Sequence, residues 1–306
     1  MFDDYYHPSG TLPVSRLRWL LPACFALLAH PVWAANLTVL AAEPTELADE
    51  FTAALQQLRP DDQIVFRTLG ERLSDRTPDA VVTLGWRAFQ WQQQHLARTP
   101  TVAAYLGLEQ IQHYQPDSPA DSLHILLVSP KPSRQVALAR LLMPRMMTLG
   151  LLYDDSSRLQ LPAWQQSADA AGLGLSAQNI DDQDDLIRSL TEVLSRSDVL
   201  MALDDKTIFH ADNLRSLLLT SYARDKVMIG PSAPYIAAGS LSTTFSSPGD
   251  TAHSVSKILT EGIPAGMSYP RHFSVISNPH LARSLGFPTP DDTALAQALM
   301  HMETAR

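Results

Sequence analysis

Asp198-Val199-Leu200-Met201-Ala202-Leu203-Asp204-Asp205 decides how this chain is read. An uninterrupted apolar run stops abruptly at two carboxylates, and a helix-length amphipathic segment, 207–224, follows. Such a run is too short for a core helix, and its context makes it a parallel strand covered on both faces by crossover helices. The same beat spreads outward. Downstream come strands at 227–229, 241–245 and 272–276; upstream lie 173–178, 149–153, 123–128, 101–106, 80–84, 63–66 and 37–41. Between and after them, helices are predicted over 45–58, 86–96, 132–142, 163–171, 183–195, 250–261, 279–285 and 292–302. The fold class is therefore α/β, built as two doubly wound, Rossmann-like lobes with a hinge. One lobe is expected from 36–143 plus 272–306 and the other from 146–266, with 143–148 as a crossing point. In open parallel sheets the ligand crevice lies outside the carboxyl ends of the strands. Function is sought there.

Size and composition fit this plan. A chain of 306 residues can hold two compact lobes, since single cores stop growing near that size. Its charge of −9, with no basic stripe, argues against nucleic acid as a partner.

The N-terminus reads as an export signal outside the fold. Arg16 and Arg18 precede the apolar run 19–29, and Val32-Trp33-Ala34 supplies a cleavage site after Ala34. Residues 1–34 are then a signal peptide and the mature protein is exported. Pro22, His30 and Pro31 interrupt the run, which counts against a membrane anchor. The single cysteine, Cys24, lies within it. Leu21-Pro22-Ala23-Cys24 loosely matches a lipoprotein box, but Pro22 fits that box poorly, and the soluble form is preferred. The mature chain then carries no thiol for a disulfide or a nucleophile. Asp3 and Asp4 are foreign to a signal, so translation is expected to begin near Leu12 or Val14.

The strand ends supply the candidate ligand-binding residues. Asp204 can accept hydrogen bonds from a ligand amine, whereas Asp205 suits either that task or an N-cap. Asp154 and Asp155, followed by Ser156-Ser157, form either an anion-binding turn or a self-capped one. After 80–84, Gly85 permits close backbone approach, Trp86 offers a stacking face and Arg87 a carboxylate partner. Tyr105 and Tyr235 are cleft rings or packing groups, and Glu43 and Thr45 open the first helix, with capping the expected role of Thr45. His210 and Asp212 lack a third ligand at suitable spacing, so neither metal nor other cofactor is expected.

From about 123 to 288 the sequence resembles the substrate-binding proteins of bacterial ABC importers, two-lobed type I periplasmic proteins. The resemblance rests on Leu149-Gly150-Leu151-Leu152-Tyr153-Asp154, on 199–205, on Ala237-Ala238-Gly239-Ser240-Leu241, and on Gly249-Asp250-Thr251-Ala252 followed by Lys257-Ile258-Leu259 and Gly262. Asn278-Pro279, Ala282 and Leu285-Gly286-Phe287 complete it. It implies an amine-binding role for Asp204, an inner-membrane ABC permease as partner, and an amino acid or similar small molecule as ligand. The first lobe departs from the pattern at Ala42-Glu43-Pro44-Thr45, at Trp86-Arg87 and at Ser246-Ser247-Pro248. The expected function is a monomeric periplasmic solute-binding protein without enzymatic activity. The rivals are a periplasmic accessory or sensor without its own permease and, behind it, an exported hydrolase. No Gly-x-Ser-x-Gly elbow or phosphate loop supports the last.

Overall fold

The computed structural model describes residues 34–71, 77–112, 114, 122–205 and 207–304. The signal segment 1–33 with Cys24, and the alternative start sites, lie outside the described residues. Two six-stranded sheets form. The first has the order β2 (Gln63–Thr68), β1 (Asn36–Ala41), β3 (Ala80–Leu84), β4 (Thr101–Leu106), β5 (Leu123–Leu127), β11 (Gly266–Ser268), and all its pairs are parallel. The second has the order β7 (Gly174–Asn179), β6 (Thr148–Tyr153), β8 (Val199–Met201), β9 (Val227–Ile229), β10 (Ser242–Phe245), β12 (Ser274–Ser277); only β12 runs antiparallel. Each lobe is thus doubly wound, with its switch point between β1 and β3 or between β6 and β8. Central strands such as β3 are buried along their whole length, whereas the outer strands β2 and β7 are partly exposed, as sheet edges should be.

Side-chain alternation sets the layers of the first lobe. Leu37, Val39, Val82 and Val102 face helices α1 (Glu46–Leu58) and α9 (Pro248–Thr260), while Leu40, Val81 and Ala103 face α2 (Trp86–His95) and α3 (Leu108–Gln112). In the second lobe, α4 (Pro132–Leu142) packs with α5 (Leu161–Ala170), and α6 (Leu186–Ser195) with α7 (Ala211–Tyr222). The short α8 (Pro234–Ala238), then α10 (Pro279–Ser284) and α11 (Asp292–Thr304), complete the helices.

Gly150 of β6 shows how tightly α6 is seated. An added Cβ would meet the Ser197 hydroxyl at 2.5 Å and a Val193 methyl at 2.7 Å. Gly150→Ala is expected to cost about 2 kcal/mol by overpacking, readable in a urea melt. Unchanged stability would show that α6 yields.

The lobe boundaries differ from the sequence expectation. Strand β12 was placed with the first lobe, but it pairs with β10 of the second. The strand that returns to the first sheet is β11, where the sequence pattern predicts no strand. Helix α4 belongs to the second lobe, since Val136 and Ala139 join its core and Leu138 packs on Phe273, Val275 and Leu299. Crossings therefore fall at 129–131, 246–247 and 269–273, not at 143–148. Three crossing segments make a hinge.

Candidate functional site

The carboxyl ends of the two sheets face each other. Ser129, just beyond β5, donates its hydroxyl to the Asp204 carboxylate beyond β8 at 3.0 Å. Farther out, α3 after β4 comes up against the 3-10 turn Arg158–Gln160 after β6. Gln160 reaches inward, its Nε2 donating to the Asp204 backbone carbonyl at 3.3 Å. Behind Asp204, at the hinge, is a cavity of about 10 Å³ lined by Ser129, Pro130, Gln135, Gln160, Trp164, Ala202, Asp204 and Pro231.

Asp154 and Asp205 stand side by side on the second lobe's wall, at its switch point. Asp154 Oδ1 accepts from the backbone N–H and hydroxyl of Ser156, and from those of Ser157, at 2.6 to 3.0 Å. Burial raises its pKa, but those donors outweigh burial and hold it below the usual aspartate value. This is the self-capped turn, not an open anion site. Asp155 pairs with Arg158 at the surface.

Asp205 is 3% exposed, and its Oδ1 accepts from the N–H groups of Thr207 and Ile208 at 2.7 and 2.8 Å. Its Oδ2 has no hydrogen-bond partner among the described residues. Burial therefore dominates and raises its pKa, with the Asp154 charge adding to the rise. Asp205 closes a turn rather than capping a helix begun at 207: α7 starts at Ala211, where the His210 imidazole accepts from Asp212 N–H. Tyr235 is partly committed, its hydroxyl donating to the Phe209 carbonyl at 2.6 Å. Burial raises its pKa, as do the charges of Asp204 and Asp205, which places the ring beside them.

On the first lobe, Glu43 and Arg87 form an ion pair of 3.1 Å across the switch point, with side chains 70% and 69% exposed. Thr45 caps α1 by accepting from Ala48 N–H, and Glu46 and Asp49 fill that helix's first turn. Gly85, at φ +84°, precedes α2, whose first turn has no side-chain cap. Trp86 turns into the lobe and packs at 5.7 Å from Phe89.

Tyr105 also packs inward, for a specific reason. The β4–β5 register slips between Ala104 and Leu106, and Tyr105 takes φ +60°. That bulge reverses the alternation, so Tyr105 joins Val102 and Ala104 on the α1/α9 face, edge-on to Phe51 at 6.3 Å. Its hydroxyl is buried without a hydrogen-bond partner among the described residues, and burial pushes its pKa up to about 12. The Thr251 hydroxyl is near enough to moderate that rise but stands outside hydrogen-bonding geometry.

The structure thus gathers Asp204, Asp205, Asp154 and Tyr235 on one wall and Glu43, Thr45, Gly85 and Arg87 on the other rim. It withdraws Trp86 and Tyr105 into packing. Sequence reading missed Ser129, Gln135, Gln160 and Trp164. Ser129 follows an apolar run and obeys the strand-end rule, whereas the other three sit on helices or turns and carry no such signal.

No protein-family model matches the chain, and no curated protein matches it by sequence. Solved structures do. An ABC domain in complex with L-Trp from Streptococcus pneumonia is 17% identical, with TM-score 0.54, covering 86% of this chain and 98% of that one. A ligand-free, open substrate-binding protein with adhesive properties from Clostridium difficile is 11% identical, with TM-score 0.67 and coverage of 85% and 97%. A conserved domain protein from Vibrio cholerae is 17% identical, with TM-score 0.51 and coverage of 86% and 98%. The chain has the two-lobed type I periplasmic binding fold, the fold of ABC-transporter substrate-binding proteins.

Proposed function

We propose that this is a periplasmic solute-binding protein that captures a small polar organic ligand, an amino acid or similar, between its lobes for an inner-membrane ABC permease. The observation that carries this reading is the meeting of both sheets' carboxyl ends at Asp204, beside three crossing segments on which the lobes can hinge. Asp204 is exposed and has acceptor capacity beyond the Ser129 hydroxyl, so it suits a ligand ammonium. On the opposite rim, the uncapped first turn of α2 and Arg87 suit a carboxylate. Among the described residues Arg87 is held by an exposed pair with Glu43, worth about 0–1 kcal/mol, which a ligand carboxylate can exchange. Binding and release are the whole task, without covalent chemistry.

A thermal-shift panel of amino acids, peptides, nucleosides and sugars tests this. A compound at a hundred times its Kd adds about 2.7 kcal/mol to stability and raises the Tm. Asp204→Ala should weaken the best hit roughly 10- to 100-fold, the worth of one charged hydrogen bond, with little change in ligand-free Tm. Should no compound raise the Tm, or Asp204→Ala leave the Kd unchanged, the reading fails.

A further inference from the structure

Asp154 and Asp205 share one wall, yet their surroundings treat the two carboxyls oppositely. Asp154 Oδ1 accepts from the N–H and the hydroxyl of both Ser156 and Ser157, and an oxygen with so many donors suits a charge. Asp205 uses Oδ1 alone, for the N–H groups of Thr207 and Ile208, while its buried Oδ2 has no hydrogen-bond partner among the described residues. The neighbouring donors are spent elsewhere. Ser157 gives its proton to Asp154, and Tyr235 gives its own to the Phe209 carbonyl. Among the described residues, Arg158 pairs with Asp155, His210 lies against Asp212, and the charges beside Asp205, those of Asp154 and Asp204, are negative. Lys206 lies outside the described residues. An ionised Asp205 would leave one oxygen of the charged group without water or donor. With the proton on Oδ2, both Oδ1 bonds survive, because a neutral carboxyl still accepts through its carbonyl oxygen. Burial and the Asp154 charge push Asp205 the same way, toward keeping its proton. Two acids driven apart by their settings divide the roles of charge and proton store.

We propose that Asp205 is a neutral carboxylic acid in the ligand-free protein, and that an ammonium group seated at Asp204 expels its proton to solvent. Asp205 is then a positioning residue, closing the turn after Asp204 through Oδ1 while Oδ2 stores the proton. A cation beside it favours the charged form, so binding an amine releases a proton. Linkage is reciprocal: affinity for an amine must rise with pH through the range where Asp205 titrates. The second half rests on the solute-binding reading above; the neutral Asp205 stands without it.

The test begins without ligand, on protein labelled with 13C at the aspartate carboxyls. The resonance that Asp205→Asn removes should titrate above the ordinary aspartate value of about 3.9. Denaturant melts check the same proton through stability. Between the unfolded and the raised folded pKa the folded state holds more protons, so wild-type stability falls as pH rises. Asparagine keeps the Oδ1 acceptor and cannot ionise, so a stability gap in favour of Asp205→Asn should open above about pH 4 and persist at neutral pH. A carboxyl titrating at or below the ordinary value, or an Asp205→Asn deficit that fades in acid, overturns the proposal; an Asp205 kept ionised by Lys206 would give that result. Calorimetry with L-alanine and L-lysine then follows, in phosphate and in Tris, at the pH where the carboxyl is half titrated. Binding should release up to about half a proton in wild type and none in Asp205→Asn, read from the difference in heat between buffers. An amine that binds with equal heat in both buffers overturns the proton release. If neither amine binds while the carboxyl titrates high, the neutral Asp205 stands and only the solute-binding reading suffers.

Discussion

Replacing Glu303 by glutamine is expected to destabilise the protein by about 3 kcal/mol and to lower its Tm by on the order of 6–10 °C. The size follows from what the change leaves behind. Arg134, in the first turn of α4, has a side chain only 3% exposed. Its guanidinium donates to both Glu303 oxygens at 3.1 and 2.9 Å and to the Pro270 carbonyl at 3.1 Å, and it lies 3.7 Å from the centre of the Phe273 ring. Arginine cannot shed its proton, so without the carboxylate it becomes a buried charge lacking a counter-ion. Lys131, 3.4 Å from Glu303, is a second cation and offers Arg134 no counter-ion.

The pH dependence gives an independent reading of the same pair. Burial by itself raises the Glu303 pKa, but the Arg134 bond and charge, with Lys131, outweigh it and hold the carboxyl below its ordinary value. A depressed folded-state pKa contributes stability that is complete above the unfolded value, roughly 4.3, and is lost as pH falls through the folded one. The gap between wild type and Glu303→Gln should therefore be full at neutral pH and shrink in acid. Denaturant melts at neutral pH and through the acid range measure it. A variant as stable as wild type at neutral pH would show that the ion pair does not hold the 269–273 crossing to α4 and α11.

The strands were legible where burial left one choice. Runs such as 80–84, 101–106 and 227–229 became β3, β4 and β9 at the expected residues, since a short run buried on both faces must pair its backbone within a sheet. Gly266-Met267-Ser268 has no such run. It becomes β11 only because β5 offers an open edge, and His124 fixes it there through Pro264 and Ser268. Missing that strand sent the chain back to the first lobe at the wrong place. At the site, the strand-end rule picked out Asp204 because an abrupt charge after an apolar run is visible in one dimension. The roles of Trp86 and Tyr105 were not visible. A half-buried aromatic serves a cleft or a core equally well, and for Tyr105 a one-residue bulge decides which. Gln135 was hidden for another reason: its partners, Gly230, Thr243 and Thr244, are distant in sequence, and nothing near residue 135 announces them.

Gln135→Leu is expected to cost about 3 kcal/mol, despite preserving side-chain volume, because it strands buried polar groups. Gln135 is 1% exposed, and its amide is fully used: Nε2 donates to the Gly230 carbonyl and the Thr243 hydroxyl, while Oε1 accepts from the backbone N–H and the hydroxyl of Thr244. After the change Gly230 keeps an acceptor role toward the Thr243 hydroxyl, 2.6 Å away. Thr244, at 0% exposure, keeps nothing in place of the lost oxygen. An orphaned backbone N–H of that kind costs roughly 1–3 kcal/mol, and the Thr244 and Thr243 hydroxyls add to it. Gln135→Glu separates lost hydrogen bonds from lost packing. A neutral carboxyl presents one acceptor and one donor, so the variant should approach wild type in acid, where the buried carboxyl is protonated. It should fall away as pH rises and the site must hold a charge. A stability deficit that is the same at every pH would mean that shape, not hydrogen bonding, is what position 135 supplies. Thr244 also lies two residues before the 246–247 crossing, so loosening it acts on the hinge itself. For any ligand that raises the wild-type Tm, Gln135→Leu should therefore weaken binding even though residue 135 never touches it, because the wall bearing Asp204 would no longer meet the first lobe in one fixed register.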